Sequence, residues 1–333
     1  MNRHGKLRLT RREALHAAGA LAGGALLDHL LSPATARAAT QAVRQQPATP
    51  PVDRVAAFRA QLAAIPIQAQ QVAENMTLLS GPGGNIVVLT GPDGMLVVDT
   101  FVSPAWPKLR EALRGIGPAP VKVAINTHWH LDHTDNNAPL HAIGATVVAH
   151  ENTKARMSQP HHLAVLDLTL SPSRADALPQ QVFKERQTLR VNGETLTLSH
   201  LAPAHTDTDL YVHFEKANLL HTGDAFFNGR YPYVDGSTGG RMSGMVAAAN
   251  RLLGLVDNDT KIVPGHGALA TKANLVTYRD MLSTAHDRVH KLKSSGKSLE
   301  EAIAAKPFAD LDATWGKGRF NGDTFVQIVY LTL

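Results

Sequence analysis

The chain has 333 residues, of which 44% are hydrophobic and 18% charged, and it contains no cysteine. The lack of cysteine excludes disulfides, thiolate metal ligands and thiol catalysis. The formal net charge is +5, but residues 1–38 hold six Lys or Arg and two acidic residues, so +4 of that charge falls there. The rest is near neutral, which argues against nucleic acid as a partner.

The N-terminus combines a twin arginine ending at Arg12, a weakly apolar run over residues 17–31 and an Ala-x-Ala site ending at Ala38. This combination resembles a bacterial twin-arginine export signal. It predicts cleavage after Ala38, a periplasmic location and the twin-arginine export machinery as a partner. An amphipathic helix or a membrane anchor is the alternative. Asp28 and His29 interrupt the apolar run, which argues against a stable membrane span.

Residues 39–75 are predicted to form a leader followed by a short helix. The segment 39–51 is rich in Ala, Gln, Pro and Thr, and 52–64 has a helical pattern. From residue 76 to 333 we expect one catalytic domain with a C-terminal helical extension. Its predicted strands are 86–89, 95–98, 121–125, 145–149, 195–201, 210–214 and 261–263, and its predicted helices are 105–114, 138–143 and 243–256. Strands interleaved with helices predict an α/β fold with covered sheet faces.

A cluster of potential metal ligands directly follows the predicted strand 121–125. The segment Asn-Thr-His-Trp-His-Leu-Asp-His supplies His128, His130, Asp132 and His133. In an extended segment residues i and i+2 face the same way, so the first two histidines can hold one ion. As the chain turns, the aspartate and the last histidine become available to a second ion. A loop of solvated histidines is the alternative.

Three further potential ligands come at the ends of later apolar strands. His205 lies between the predicted strands 195–201 and 210–214, and Asp224 ends an apolar run. His266 directly follows the short strand 261–263. All of these segments therefore share one pattern, a buried strand followed by a turn that carries a ligand.

Taken together, the motifs between residues 76 and 271 resemble those of the metallo-beta-lactamase superfamily of hydrolases. The resemblance implies a four-layer αββα sandwich with two zinc ions at one edge between the sheets. It implies His128, His130 and His205 as ligands of one zinc, Asp132, His133 and His266 as ligands of the other, Asp224 as a bridge between both, and Asp99 as the carboxylate that holds a ligand histidine.

The implied ligands predict a zinc-dependent, β-lactamase-like hydrolase. Two zinc ions lower the pKa of a shared water to about 7, which supplies a bridging hydroxide for attack on a polarised carbonyl. Asp132 can accept or relay the proton. The sequence has no Gly-x-Ser-x-Gly elbow that would point to a serine nucleophile.

Substrate recognition is expected from loops beside the metals. The predicted substrate contacts are Trp129, Phe227, Asn228, Arg230, Tyr231 and Tyr233. Arg230 is the first candidate to bind a substrate carboxylate, whereas Trp129 lines the pocket or packs beneath the loop. The glycine-rich tip 81–84 overhangs the pocket or is an ordinary turn. The segment 159–183 forms a lid or an insertion.

Two positions depart from β-lactamases that carry cysteine at the second zinc. Asp224 stands where those enzymes have cysteine, and Phe227 stands where they have a lysine for the drug's carboxylate. We predict cleavage of a lactam, lactone or thioester, with a β-lactam as the leading small-molecule substrate. A lactonase or a glyoxalase-II-like thioesterase is the alternative. A non-hydrolytic metal or redox protein is less favoured because His130 is intact.

Overall fold

The protein is described by a computed structural model that covers residues 53–333. The predicted export signal, the predicted leader 39–51 and the first residue of the predicted helix 52–64 lie outside the described residues. Within residues 53–333, no helix combines the length and the apolar composition that crossing a membrane requires.

A seven-stranded sheet contains the first half of the described chain. In spatial order its strands are β1 (Gln68–Ala73), β2 (Met76–Ser80), β3 (Ile86–Leu89), β4 (Met95–Val98), β5 (Val121–Ile125), β6 (Thr146–His150) and β9 (Gln181–Phe183). Strands β1 to β4 pair antiparallel, and β4, β5, β6 and β9 pair parallel. The parallel strands end at one edge of the sheet, which brings their following loops together.

A five-stranded sheet contains the second half. Its strands are β10 (Arg186–Val191), β11 (Glu194–His200), β12 (Leu210–Phe214), β13 (Leu219–His221) and β14 (Lys261–Val263). All neighbours pair antiparallel except β13 and β14, which are parallel. Strands β7 (His161–Leu163) and β8 (Leu168–Leu170) form a separate antiparallel hairpin.

The helices cover the outer faces of the two sheets. They are α1 (Arg54–Ala63), α2 (Trp106–Ile116), α3 (Leu131–Thr134), α4 (Asn137–Ala142), α5 (Glu151–Met157), α6 (Met242–Leu253), α7 (Lys272–Ser294), α8 (Leu299–Ala304), α9 (Asp312–Trp315) and α10 (Gly322–Thr332). Helix α2 starts with a proline in its first turn and buries Leu109 and Leu113, four residues apart, on one face. A capping box of Thr271 and Asn274 starts α7.

The alternation of side chains along β4 shows how the layers are built. Leu96 and Val98 lie in the apolar cluster between the two sheets, whereas Met95 and Val97 lie in the cluster beneath α2. Successive residues of a strand point to opposite faces, so a continuous apolar run is the pattern of a strand covered on both sides. A third cluster lies between the five-stranded sheet and α6, α7 and α10. The predicted four-layer αββα sandwich is confirmed.

Most predicted strands and helices occur close to their expected positions. Strands β2 and β10 were not among the predicted ones, and neither was the edge strand β1. The strand reads Gln-Ala-Gln-Gln-Val-Ala, and its first four residues are exposed at the edge of the sheet. Because an exposed edge strand needs no apolar run, the sequence pattern carries no signal for it. The sheet therefore starts at Gln68, before the predicted domain start at residue 76. The segment 159–183 contributes the β7–β8 hairpin and the edge strand β9.

Candidate metal centre

The loop after β5 places the ligand motif at the edge of the sandwich. Strand β5 ends at Ile125, and α3 begins at Leu131 with His130 in extended conformation as its N-cap. Asp132 and His133 therefore lie in the first turn of the helix, while His128 lies in the extended segment before it. This change from strand to helix within six residues lets one motif serve two adjacent positions.

The first group of donor atoms contains three buried imidazoles. The Nδ1 atom of His130 lies 2.8 Å from Nε2 of His205 and 3.1 Å from Nε2 of His128. All three side chains are buried. Three imidazole nitrogens at such spacing form the kind of donor set that zinc prefers.

The second group contains one carboxylate and two imidazoles. The Oδ2 atom of Asp132 lies 3.4 Å from Nε2 of His266 and 3.5 Å from Nε2 of His133. This group is less enclosed than the first, since the Asp132 and His266 side chains retain 16% and 19% exposure. It therefore faces the solvent-accessible side of the centre.

The carboxylate of Asp224 lies between the two groups. Its Oδ2 atom is 3.5 Å from Nε2 of His205 and 3.3 Å from Nε2 of His266, and its Oδ1 atom is 3.3 Å from Nε2 of His133. The structure thus brings all seven predicted metal ligands, five histidines and two aspartates, into one cluster. A carboxylate in this position has an oxygen atom for each group.

Two buried atoms of the cluster show that it fits a cation. His133 Nε2 and Asp224 Oδ1 lie 3.3 Å apart but not in hydrogen-bond geometry, and neither has another hydrogen-bond partner among the described residues. Leaving such atoms unpaired is costly in a folded protein, and a metal ion would satisfy both. Gly84 packs against the His133 ring and Gly265 against Asp224, so closely that a Cβ atom at either glycine would collide with the ligand side chain. The residues present therefore fit divalent metal ions.

Hydrogen bonds outside the cluster decide which nitrogen of each histidine faces inward. His133 Nδ1 lies 2.8 Å from Oδ2 of Asp99, and His205 Nδ1 donates to the Tyr233 carbonyl at 2.8 Å. His130 has the reverse orientation, because its Nε2 lies 3.1 Å from Oδ2 of Asp235 and its Nδ1 faces the cluster. Such partners fix ring orientation and make the ligand nitrogen more basic. The structure places Asp99 where the sequence predicted it.

Sequence reasoning missed two carboxylates that support the centre. Asp235 sits in a Val-Asp-Gly-Ser-Thr turn, where its carboxylate also accepts hydrogen bonds from Ser237 and Thr238. Asp209 accepts hydrogen bonds from the backbone N–H of His205 at 2.7 Å and from Thr206. Burial raises the pKa of Asp209 to about 7. An aspartate before Gly-Ser-Thr reads as an ordinary turn residue, so its pairing with a distant histidine leaves no sequence signal.

Burial keeps two imidazoles of the first group, those of His128 and His205, neutral. It lowers the pKa of His205 to about 4 and that of His128 well below its ordinary value, because removal from water penalises the charged ring. A neutral imidazole has the free lone pair that a metal ligand requires. His128 and His205 can therefore bind a cation at neutral pH.

In the second group, the attraction between neighbouring opposite charges outweighs the effect of burial on the pKa. Burial opposes ionisation of Asp132, but His133 and His266 lower its pKa to about 2. Burial likewise opposes protonation of His266, yet Asp224 and Asp132 raise its pKa to about 9. The concentrated negative charge that holds a proton on this histidine would equally attract a divalent cation.

A cavity of about 190 Å³ opens beside the centre. Its wall includes four predicted substrate contacts, Phe227, Arg230, Tyr231 and Tyr233. Two other predicted contacts lie elsewhere. Asn228 donates through Nδ2 to the Ala268 carbonyl at 3.0 Å and does not line the cavity. Trp129 packs beneath the loop, donates to Thr238 at 3.2 Å, and lines a different cavity of about 360 Å³.

The glycine-rich tip 81–84 packs on the metal ligands rather than overhanging the cavity. A Cβ atom on Gly83 would lie 2.8 Å from Cβ of Asp132, so only glycine allows this approach. Asn85 then donates through Nδ2 to the carbonyls of Pro264 and Gly267, both at 2.9 Å. The hairpin between β2 and β3 therefore holds the motif loop and the His266 loop together.

Four other histidines of the described residues lie outside the donor groups. His221 lies 3.1 Å from the Asn85 carbonyl and accepts from the Gly223 backbone, which is a structural role. His150 stacks on His200 with ring centroids 3.9 Å apart. His161 packs against Trp129, and His162 is exposed.

The Asp235 contact gives a test of the supporting hydrogen bonds. We expect Asp235→Asn to weaken zinc affinity by about 10- to 100-fold, because His130 loses the carboxylate that orients its ring and polarises its N–H. Competition with a chromophoric chelator measures the affinity. Asp280→Asn, on the exposed face of α7, is the matched control. Unchanged affinity in Asp235→Asn would show that this contact does not support the metal ligand.

Comparison with known proteins agrees with the geometry. A model of the metallo-beta-lactamase superfamily matches residues 79–266. No curated protein matches the chain by sequence. Among solved structures, a metallo-beta-lactamase from Pontibacter korlensis superposes with a TM-score of 0.54 and 16% identity, covering 65% of this chain and 99% of that one. The DIM-1 metallo-beta-lactamase superposes with a TM-score of 0.52 and 20% identity, covering 66% of this chain and 99% of that one.

A sec-alkylsulfatase from Pseudomonas sp. is also similar in fold, with a TM-score of 0.60 and 16% identity. It covers 79% of this chain, which in turn spans half of that protein's length. At such low sequence identities, these structures show a similar fold and nothing about function. The family match extends over more than half of the chain, from the hairpin that holds the motif loop to His266, the last of the ligand candidates. The protein therefore belongs to the metallo-beta-lactamase superfamily.

Proposed function

We propose that the protein is a zinc-dependent hydrolase that cleaves a lactam, lactone or thioester. The observation that carries this proposal is the convergence of five histidines and two aspartates in one cluster, of which three histidines and both aspartates line the cavity. The donor set is nitrogen and oxygen only, which suits zinc. His128, His130 and His205 would hold one ion and Asp132, His133 and His266 the other, with Asp224 shared.

Two bound zinc ions would supply a nucleophile at neutral pH and polarise the substrate carbonyl. The protein's side chains contribute proton transfer, an apolar environment and a positive charge. Asp132 reaches the cavity, and its carboxylate oxygen can accept a proton and pass it to the leaving group. The apolar walls limit water around the reacting atoms, which strengthens each electrostatic contact there. Arg230 provides a fixed positive charge on the same wall.

A β-lactam is the leading substrate in this proposal. The superfamily match and the resemblance to metallo-beta-lactamases support it, whereas Asp224 and Phe227 replace two residues that cysteine-bearing β-lactamases use. A lactonase or a glyoxalase-II-like thioesterase would use the same ligand set. The fold shared with the sec-alkylsulfatase makes an alkyl sulfate a further substrate to test.

A substrate panel tests this proposal. Zinc-loaded protein is assayed against a cephalosporin, an acyl-homoserine lactone, a glutathione thioester and a sec-alkyl sulfate. We expect hydrolysis of the cephalosporin, its loss on chelator treatment and its return on addition of zinc. Chelator-sensitive hydrolysis of the lactone or thioester alone would replace the β-lactam by that substrate. No chelator-sensitive hydrolysis of any of the four would contradict the proposal.

Elemental analysis separates this proposal from a non-hydrolytic metal or redox role. Zinc at two ions per chain is expected after purification and dialysis. Iron in its place would favour the redox alternative. The intact His130, rather than a glutamate at that position, supports the hydrolase.

We further propose that the protein acts in the periplasm after export by the twin-arginine route. The twin arginine, the interrupted apolar run and the Ala-x-Ala site support this location. Cell fractionation of the native chain and of an Arg11→Lys, Arg12→Lys double variant tests it. Equal periplasmic recovery of both forms would contradict the route.

A further inference from the structure

Two guanidinium groups line the cavity beside the metal centre. They belong to Arg230, which is half-buried, and to Arg319, which is exposed. Among residues 53–333, neither forms a salt bridge with a carboxylate, whereas Arg59 and Arg156 each make a short bidentate pair with an aspartate. Half-burying an arginine without a partner carries a desolvation cost. Such a charge on a cavity wall indicates an anionic ligand.

The two arginines come from different segments that pack together. Arg230 lies in the loop after Asp224, and Arg319 lies between α9 and α10. Gly318 rests against the stem of Arg230, since a Cβ atom there would lie 2.9 Å from the Arg230 Cβ. The Tyr231 backbone N–H also donates to the Trp315 carbonyl at 3.0 Å. The C-terminal extension is therefore fixed where it adds a second positive charge to the cavity.

Both arginines lie near the carboxylates of the centre. Burial lowers the pKa of each guanidinium, while Asp224 raises that of Arg230 and Asp132 raises that of Arg319. The guanidinium carbon of Arg319 stands 4.6 Å from the centre of the Phe58 ring, a cation–π contact that orients the group. An anion between the two arginines would thus lie on the same wall as the metal ligands.

The part of the cavity wall that adjoins Arg319 is apolar. Helix α1 contributes Phe58 and Leu62, and the β7–β8 hairpin contributes leucine side chains, Leu163, Leu166, Leu168 and Leu170. A bidentate pair of Arg59 with Asp135, with nitrogen–oxygen distances of 2.6 and 2.8 Å, fixes α1 to the end of α3. A salt bridge of 2.5 Å between Arg54 and Asp167 links α1 to the hairpin. Helix and hairpin therefore together form one apolar wall of the cavity.

From this juxtaposition we propose that the substrate is an anionic amphiphile, with its carboxylate between Arg230 and Arg319 and its apolar substituent against Phe58 and the leucines of the β7–β8 hairpin. This inference rests on the proposed hydrolase and specifies its substrate class. Guanidinium groups bind carboxylates through paired, charge-assisted hydrogen bonds, which uncharged ligands cannot form. The site therefore discriminates in favour of a carboxylate-bearing lactam and against an uncharged acyl-homoserine lactone.

Direct binding tests the inference independently of hydrolysis. Octanoate, octanol and acetate are titrated by calorimetry into the full chain, once loaded with zinc and once treated with chelator. Octanoate is expected to bind best, because only it has both the charge and the apolar chain. Arg319→Met and Arg230→Met should each weaken octanoate about tenfold or more and leave octanol unchanged. Phe58→Ala should weaken both octanoate and octanol, and octanoate more, because Phe58 also orients Arg319.

Arg110→Met, which removes the same charge from the exposed face of α2, is the matched control and should bind octanoate as the wild type does. Melting temperatures establish that each variant folds, and Arg319→Lys, which keeps the charge but not the paired donors, should retain part of the affinity. Octanoate affinity that is unchanged in both Arg319→Met and Arg230→Met would overturn the inference. Arginine-dependent octanoate binding without hydrolysis of any panel substrate would instead overturn the proposed function and leave the ligand class in place.

Discussion

Replacing Asp224 with alanine is expected to reduce bound zinc from two ions to one or none per chain and to lower kcat/KM by more than about 100-fold. Loss of a hydrogen-bond partner outside the ligands already costs about 10- to 100-fold, and Asp224 is itself a ligand candidate of both ions. Its oxygens lie within 3.9 Å of four imidazoles, those of His128, His133, His205 and His266. Elemental analysis after dialysis and steady-state kinetics measure the two effects.

Two comparisons make the Asp224 result specific. Asp280→Ala removes a surface carboxylate on α7 and should leave both zinc content and kcat/KM unchanged. Asp224→Asn keeps the size of the side chain and removes its charge, so it separates loss of charge from loss of volume. Two tightly bound zinc ions together with normal kinetics in Asp224→Ala would contradict the role of this residue as a shared ligand.

Replacing Asp132 with alanine is expected to lower kcat by about 10²- to 10⁴-fold, the range in which a positioned proton acceptor contributes. Asp132 is the only carboxylate of the second donor group, and it reaches the cavity. The variant loses a metal ligand as well as a proton acceptor. Steady-state kinetics at saturating zinc, with zinc content determined in parallel, give the size of the effect.

Asp132→Asn separates the two roles of this residue. The amide keeps an oxygen that can coordinate a cation but cannot accept a proton at neutral pH. If the variant retains its zinc but its kcat is reduced, Asp132 acts as the proton acceptor. Normal kcat in Asp132→Ala would refute the proposed mechanism while leaving the fold and the family assignment intact.

The ligand cluster shows how far sequence reasoning reached. Residues 128–133 follow an apolar strand in a spacing that metal binding explains, and His205, Asp224 and His266 repeat the arrangement of strand followed by ligand. The sandwich then brings these strand ends to one edge, as the resemblance implied. The exposed edge strand β1 was missed, because it has no apolar pattern to detect.

The cavity beyond the ligands was much harder to predict. Asp235 lies 105 residues from His130 in sequence yet 3.1 Å away in space, and a turn motif alone does not show this pairing. Arg319 was not among the predicted contacts, since nothing near it in sequence marks it as functional. Asn228 was predicted to contact substrate from its position in the loop, but its side chain bonds to the Ala268 carbonyl instead.

The sequence by itself determined the interleaved strands and helices and the candidate ligands at strand ends, because strand periodicity and ligand spacing are local properties that repeat along the chain. The αββα sandwich and the superfamily followed from the resemblance that these motifs carry. The export signal remains a prediction from the same kind of local pattern. Only the tertiary structure decided which carboxylates orient the ligand histidines, and that α1 and the C-terminal extension close one cavity over the centre. Those contacts join residues far apart in sequence, and long-range packing sets them rather than any local preference.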